Sequence, residues 1–407
     1  MSEILTIRNF GPIKDITIDL RKVNVLIGEN ATGKSTIAKV LSVCRYFSYI
    51  LDDNLFPNAF EDGLNAKGLS EFIQKDSLVL YECQHYSFAA SRGIKKEQVT
   101  DNEDGAILGA YELPVFFVKL KRKSKEFKRL LNELEEIKPK ETGAQYGFAS
   151  DSAWTIPASF FQNDVSIVLD NPFYVPTERG LQSIFSLGKS SIQNLSDSLF
   201  NQLAELYQIA GYFKTDTIIE PLGIIYKNIK GEGYIKKDSN ETFFSLFNAA
   251  SGYQSTIPIV LLVKYYTEIR KKKKTFIIEE PELNLFPTSQ NELVRFLVNN
   301  VANHSNSVLI TTHSPYILTS LNNLMYAYGV GQKEPVEANK VIDKKYWINP
   351  DDVSAYMLLT EGTCEDILDR EEGLISAEKI DSVTNILNEQ FSSLLNLQFS
   401  ENEFDPK

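Results

Sequence analysis

The sequence has 407 residues and a formal net charge of −12 at pH 7. Hydrophobic residues make up 43% of the chain and aromatic residues 11%, which are globular values that predict a buried core. The negative charge argues against a surface coated for nonspecific binding of nucleic acid, so any such contact has to be confined to a local basic patch. The length suits two or three domain-sized units, or one large α/β core with insertions.

Cysteine usage and the N-terminus bear on the cellular location. Cys44, Cys83 and Cys364 are scattered and have no metal-binding spacing. Residues 1–4 lack the basic and then apolar pattern of a secretion signal, and no apolar run reaches the roughly 18 residues that span a bilayer. We therefore expect a reduced, cytoplasmic protein that does not enter a membrane.

The most informative stretch is residues 28–36, which read G-E-N-A-T-G-K-S-T. An apolar run at 23–27 precedes it and a helix-like pattern at 37–41 follows, as the motif G-x-x-x-x-G-K-S requires. The N–H groups of such a loop and the positive end of the helix bind phosphate. Lys34 is predicted to contact the β- and γ-phosphates of ATP, and Ser35 to bind Mg²⁺. The predicted nucleotide contacts in this segment, called the phosphate loop below, are Gly28, Asn30, Gly33, Lys34, Ser35 and Thr36.

Residues 3–27 alternate like three strands, with a turn at residues 9–12. This predicts an antiparallel element ahead of the phosphate loop. The arrangement resembles the start of ABC-type ATPase heads of chromosome-maintenance and DNA-repair proteins. The resemblance implies that Arg8 lies near the nucleotide, and an ordinary edge hairpin is the alternative.

Two adjacent carboxylates end an apolar strand at 276–278. Successive strand residues point to opposite sides, so Glu279 and Glu280 can share a site only if the chain bends there. Glu279 is predicted to hold the Mg²⁺ shell, and Glu280 to orient and deprotonate the attacking water. A later strand at 308–312 ends in His313, which the ABC resemblance identifies as the switch histidine that contacts the γ-phosphate.

Residues 250–255 read A-S-G-Y-Q-S before an apolar helix. This segment resembles the ABC signature L-S-G-G-Q, from which its alanine and tyrosine depart. The resemblance implies that Ser251 and Gly252, with Gln254 beside them, contact ATP bound by a second subunit. ABC heads also carry a glutamine after an earlier strand, which senses Mg²⁺ and water. Here the strand at 173–175 runs into P-T-E-R, and Gln182 just beyond is the candidate.

Several further segments have weaker signals. The patterns predict a hairpin at 77–88, a helix within 184–215 and strands within 217–247. A basic cluster at 119–125 followed by an amphipathic helix at 127–137 suits either a DNA groove or a solvated face. Residues 358–366 look like the opening of a TOPRIM nuclease, but the later D-x-D pair is absent, so we expect no nuclease. A final helix with apolar residues from 380 to 395 covers the core or docks a partner.

The predicted fold class is α/β. It is an ABC-type ATPase head, with a P-loop mixed sheet, an antiparallel β element and a helical lobe, plus a small C-terminal extension. The predicted divisions are an ATPase core at 1–115 and 251–325, an inserted helical and β lobe at 116–250, and an extension at 326–407 that docks a partner or forms the dimer.

The motif E-E-P-E-x-x-L-x-P and the P-x-E-R turn resemble those of stand-alone OLD-like ABC ATPases of bacterial antiphage systems, including Septu and PARIS. Phe286 stands where these relatives often have histidine. The resemblance implies a dimer that encloses ATP and Mg²⁺ and regulates a separately encoded effector, a nuclease or toxin. Two alternatives stay open: a RecF-like repair ATPase that binds DNA directly through a local basic patch, and a nucleotide-gated scaffold with little turnover.

Overall fold

The computed structural model describes residues 3–50, 59–83, 86–91, 106–107, 115–120, 172–177, 179, 197–237, 242–302, 304–376 and 389–394. The strands are β1 (Glu3–Phe10), β2 (Ile13–Leu20), β3 (Val23–Gly28), β4 (Ile73–Glu82), β5 (Tyr86–Ser91), β6 (Ala106–Ile107), β7 (Val115–Leu120), β8 (Phe173–Val175), β9 (Thr217–Ile219), β10 (Ile224–Ile229), β11 (Glu232–Lys236), β12 (Phe244–Ser245), β13 (Thr275–Glu279), β14 (Ser307–Thr312), β15 (Val353–Leu358), β16 (Cys364–Asp366), β17 (Leu368–Asp369) and β18 (Leu374–Ile375). The helices are α1 (Lys34–Ile50), α2 (Ala59–Ala66), α3 (Asp197–Ala210), α4 (Ser251–Lys264), α5 (Pro287–Ala302), α6 (Pro315–Gly331) and α7 (Pro335–Val341).

The core sheet has the strand order β16-β15-β3-β14-β13-β8. Its strands from β15 to β8 are parallel, and β16 adds an antiparallel edge. All five residues of β13 are buried, as expected for a parallel strand that is covered on both faces. The sheet confirms the predicted α/β class with a mixed sheet.

The two faces of the core sheet pack against different partners, because neighbouring residues of a strand point to opposite sides. On one face, Leu26 and Ile277 join α1 and the antiparallel sheet in one apolar cluster. On the other, Val25 and Ile278 pack with α4, α5 and α6. The phosphate loop therefore begins on a strand that is fixed from both sides.

The antiparallel sheet has the order β2-β1-β4-β5-β7-β6 and confirms the β element predicted ahead of the phosphate loop. The predicted hairpin at 77–88 corresponds to β4 and β5. A second antiparallel sheet, β12-β11-β10-β9, confirms the strands predicted within 217–247. Its apolar side, including Ile224 and Ile235, packs with α3 and α4.

Three strands of the core sheet come from segments that the sequence analysis placed outside the ATPase core. The strand β8 lies within the predicted lobe, and β15 and β16 lie within the predicted C-terminal extension. The strand β15 pairs with β3 from Val353 opposite Val23 to Leu358 opposite Gly28. The residues that suggested a TOPRIM opening are thus the end of β15, a turn and β16 within this sheet.

Some predicted segments lie outside the described residues. These are the basic cluster from residue 121 onward, the helix at 127–137, and Gln182. Of the last predicted helix, residues 389–394 are described as helical, and both Phe391 and Leu394 are exposed there. Across the described ranges, no helix has the length and apolar character needed to cross a membrane.

Candidate functional site

The register of the core sheet brings the predicted motifs to one edge. Ile27 pairs with Thr312, and Glu279 pairs with Thr311 on the other side of β14. The phosphate loop, His313 and the two glutamates follow directly from these positions. Parallel strands present their carboxyl ends at the same edge of a sheet, which is where ligands bind in open α/β folds.

Close packing explains both glycines of the phosphate loop. A Cβ atom at Gly28 would lie 2.6 Å from the carbonyl oxygen of Leu358, and one at Gly33 would lie 3.1 Å from Cγ1 of Ile13. Gly33 also has a φ of +99°, a left-handed conformation that glycine adopts without strain. Strands β15 and β2 therefore pack closely against the phosphate loop. The Thr32 hydroxyl stabilises the loop further by donating to the Glu29 carbonyl at 2.9 Å.

Lys34 is the cation at the centre of this edge. It is 6% exposed, and its Nζ donates to the carbonyl oxygens of Gly28 at 2.9 Å and Glu29 at 2.6 Å. Burial lowers the pKa of Lys34, and the nearby carboxylates of Glu280 and Glu279 oppose that shift. The ammonium thus shares one electrostatic environment with both predicted catalytic carboxylates.

The acidic turn, residues 279–285, contains the bend that the sequence analysis required. Glu280 has a φ of +42°, and its N–H donates to the Thr311 carbonyl at 2.8 Å. The Glu279 side chain is buried, whereas that of Glu280 keeps 31% of its surface exposed. A buried carboxylate and a solvent-reaching carboxylate suit a metal ligand and a base for water, respectively.

His313 lies directly against the predicted base. Its Nε2 atom is 3.5 Å from Oε1 of Glu280. The carboxylate of Glu282 holds the backbone at Thr312 and His313. Its Oε1 atom accepts hydrogen bonds from the Thr312 hydroxyl at 2.5 Å and from the N–H of His313 at 3.0 Å. Burial raises the pKa of Glu282. The sequence analysis gave Glu282 no role, although it belongs to the motif E-E-P-E.

A second chain of hydrogen bonds fastens the acidic turn to the segment after His313. The Ser314 hydroxyl donates to Oε1 of Gln290 at 2.6 Å, and Nε2 of Gln290 donates to the carbonyl of Leu285 at 3.0 Å. These bonds join the end of the acidic turn to the residue that follows His313.

The predicted signature residues are placed differently from one another. Ser251 is exposed at the first turn of α4. A Cβ atom at Gly252 would lie 2.6 Å from the carbonyl oxygen of Asn284, so the signature packs on the acidic turn of its own chain. Gln254 is 3% exposed, and its amide donates to the carbonyls of Phe247 and Ala249, both at 2.9 Å. Gln254 shapes the loop before α4, and its contact with nucleotide stays a prediction.

The other predicted contacts fall into two groups. Asn30 and Ser35 are exposed, and Thr36 is buried with 7% of its surface exposed. Arg8 is exposed and lies 3.1 Å from Asp15 across β1 and β2. The predicted contact of Arg8 with the nucleotide stays a prediction.

The donor set at this edge fits Mg²⁺. Ser35 at the start of α1 and Glu279 at the end of β13 supply hard oxygen atoms. Mg²⁺ usually takes one or two such protein ligands and completes its shell with phosphate and water. The described residues contain no cluster of three or more histidine, cysteine or acidic side chains that could hold a metal by themselves.

Lys67 and Arg179 are two charged residues that the sequence analysis did not assign. Nζ of Lys67 is 4.4 Å from the centre of the Tyr174 ring. Burial lowers the pKa of Lys67 to about 8, Lys39 adds to the lowering, and Glu279 opposes it. Arg179 follows β8 in the P-x-E-R turn and is completely buried. Charged side chains are expected at the surface, so only the motif itself pointed to Arg179.

We predict that Lys67→Met raises the free energy of unfolding at about pH 7 by about 1–3 kcal/mol, because desolvation of the partly buried ammonium is costly. The folded pKa of about 8 lies below the ordinary value of 10.5. The unfolded chain therefore binds more protons between these pH values, and wild-type stability rises with pH across that window. The advantage of Lys67→Met should accordingly shrink by about half or more at about pH 9.5.

Urea unfolding at both pH values measures this effect. Lys333→Met, at an exposed lysine, is the matched control and should show neither the gain nor its pH dependence. An equal gain from Lys67→Met at both pH values would contradict the prediction.

Comparison with known proteins places this site in a family. Residues 1–142 and 117–318 match the family model described as AAA ATPase domain. No curated protein matches the chain. Among the solved structures similar to this chain are the SmcHead bound to the C-winged helix domain of ScpA and the SMC head domain from Thermotoga maritima. The match to the first has 10% sequence identity and a TM-score of 0.43, and it covers 91% of this chain and 98% of the SmcHead chain. The second is 11% identical, covers 90% and 98%, and has a TM-score of 0.39.

The family match carries the assignment. It spans more than half of the chain, and the matched residues include the phosphate loop, the acidic turn and His313. The chain belongs to the AAA ATPase domain family.

Proposed function

We propose that this protein is an ABC-type, OLD-like ATPase that dimerises around ATP and Mg²⁺ and controls a separately encoded effector, a nuclease or toxin, in antiphage defence. The observation that carries the ATPase assignment is the meeting of Lys34, Glu280 and His313 at one edge of the core sheet, with His313 3.5 Å from Glu280. The OLD-like assignment depends on the motif E-E-P-E-x-x-L-x-P and on the P-x-E-R turn, whose Arg179 is buried behind the acidic turn.

The side chains have separable roles in hydrolysis. Lys34 leaves the loop carbonyls to bind the β- and γ-phosphates. Glu280 orients the attacking water and accepts its proton, and its partly exposed carboxylate can reach water. His313 contacts the γ-phosphate from beside Glu280. Mg²⁺, held by Ser35 and Glu279, would neutralise charge on the transferred phosphoryl group.

The proposed dimer places the signature segment of each chain on the nucleotide of its partner. Ser251 is exposed at the N-terminal end of α4, where the N–H groups and the helix dipole favour phosphate. Phe286, which directly follows the acidic turn, is 74% exposed. Hydrolysis removes the γ-phosphate contacts and loosens the dimer, and this passes the signal to the effector.

Two substitutions should separate ATP binding from hydrolysis. Glu280→Gln should lower kcat by at least about 100-fold, because it removes the general base, and should leave ATP affinity within about threefold. This variant should accumulate as an ATP-bound dimer in light scattering after size exclusion. Lys34→Ala should lose ATP binding and stay monomeric.

The matched control is Glu337→Gln, the same change at a surface glutamate that pairs with Lys340. It should keep wild-type turnover. Wild-type hydrolysis by Glu280→Gln would overturn the assignment of the base, and a monomer in saturating ATP would overturn the dimer.

The effector role requires a test in the native host. Tagged Glu280→Gln protein should bring down a nuclease or toxin in stoichiometric amounts, and adding ATP to the purified complex should change the activity of that effector. Lys34→Ala protein, prepared in parallel, should differ from Glu280→Gln either in the amount of effector recovered or in the effect of ATP on the activity of the effector. Recovery of the ATPase alone with bound DNA would contradict the effector role and favour a RecF-like ATPase.

A further inference from the structure

One buried guanidinium joins three parts of the candidate site. Nε of Arg179 donates to the carbonyl of Ser255 at 2.9 Å. Nη1 donates to the carbonyls of Pro176 at 3.0 Å and Glu279 at 2.7 Å, and Nη2 donates to the carbonyl of Glu280 at 2.6 Å. Arg179 thus links the end of β8, the second turn of α4 and the two catalytic glutamates.

The burial of this charge makes the geometry demanding. Arg179 has no exposed surface, and a buried cation is tolerated only where hydrogen bonds compensate for lost water. The planar guanidinium presents its donors in a fixed fork, so four carbonyls are satisfied only when they keep their relative positions. A shift of α4 against the acidic turn would break some of these hydrogen bonds. A lysine at this position could adjust its flexible side chain to such a shift, whereas the rigid guanidinium cannot.

Two other contacts run between the same elements. The hydroxyl of Ser255 donates to the carbonyl of Leu283 at 2.9 Å. Gly252 packs so closely on the acidic turn that a Cβ atom there would lie 2.6 Å from the Asn284 carbonyl. The start of α4 therefore contacts the acidic turn directly, and Arg179 binds backbone carbonyls of both segments.

We propose that Arg179 is a positioning residue that couples the two ATP sites of the dimer. Ser251 at the start of α4 meets the nucleotide of the partner subunit, and Arg179 carries the resulting position of α4 to the backbone of Glu279 and Glu280 in its own chain. Arg179 acts through these carbonyls and does not touch ATP. This inference rests on the proposed ATP-bound dimer and assigns a residue to communication between its sites.

The coupling is measured by the dependence of ATPase rate on ATP concentration. Two interacting sites give the wild type a Hill coefficient above 1 and up to about 2. Arg179→Lys should bring the coefficient to about 1 and lower kcat roughly 10- to 100-fold, with half-saturating ATP within about threefold of wild type. A purely structural role would reduce the folded fraction and so scale the rate without changing the Hill coefficient.

The chain offers a matched control in a second buried arginine. Arg45 is 7% exposed, donates from Nε to Glu3 at 2.8 Å and also binds the hydroxyl of Thr275 at the opposite end of β13. Arg45→Lys should cost stability but leave the Hill coefficient at the wild-type value. Thermal unfolding of both variants shows whether their losses of stability are comparable.

A second variant keeps the test decisive if Arg179→Lys does not fold. Ser255→Ala removes the hydroxyl bond to Leu283 and leaves the buried charge in place, so it should lower the Hill coefficient in the same direction by a smaller amount. Wild-type coefficients in both variants, or in Ser255→Ala alone when the lysine variant is unfolded, would overturn the coupling role.

The same series distinguishes failure of this inference from failure of the proposed function. An ATP-dependent wild-type dimer whose Hill coefficient survives both substitutions overturns the role of Arg179 only. A wild-type protein that shows neither an ATP-dependent dimer nor cooperative turnover overturns the dimer, and the coupling with it.

Discussion

The candidate site depends on one backbone bend at Glu280. With its φ of +42°, Glu280 leaves the line of β13, and both neighbouring glutamates act electrostatically on Lys34 of the phosphate loop. In an extended strand they would point to opposite sides. A positive φ is costly for a residue other than glycine and persists only where the surroundings impose it. Here the Thr311 carbonyl accepts the N–H of Glu280, and Arg179 binds the carbonyls of both glutamates.

The same bend sets the electrostatics of the edge. Three carboxylates, those of Glu279, Glu280 and Glu282, act on the buried ammonium of Lys34. Burial lowers the pKa of Lys34 and raises that of Glu282, so both groups are held where their charge is costly. An edge that combines a lysine with carboxylates suits a phosphate ligand that arrives with a divalent cation. It also gives the segment before His313 a fixed anchor in Glu282.

Local patterns in the sequence predicted the parts of the site that are themselves local. The phosphate loop, the paired glutamates and His313 each stand between elements with a clear period, and the fold confirms the α/β class. Contacts between distant segments were not predictable. The end of β15 suggested only a TOPRIM-like opening, yet the strand pairs with β3 beside Gly28. Arg179 is buried because carbonyls from three segments converge on it, and no spacing in the chain reveals such convergence. Likewise, no spacing in the chain reveals that the side-chain amide of Gln254 is buried and donates to the Phe247 carbonyl.

The central claim is that each ATP site is built from two chains, with Lys34, Glu280 and His313 from one and Ser251 from the other. Mixing two inactive variants, Lys34→Ala and Ser251→Arg, tests this claim most directly. A mixed dimer contains one site with an intact Lys34 and an intact Ser251. Equal mixing should therefore restore about a quarter of wild-type ATPase activity if the chains pair at random, and up to about half if only mixed dimers form. Activity of the mixture no greater than the mean of the two separate variants would contradict the two-chain site.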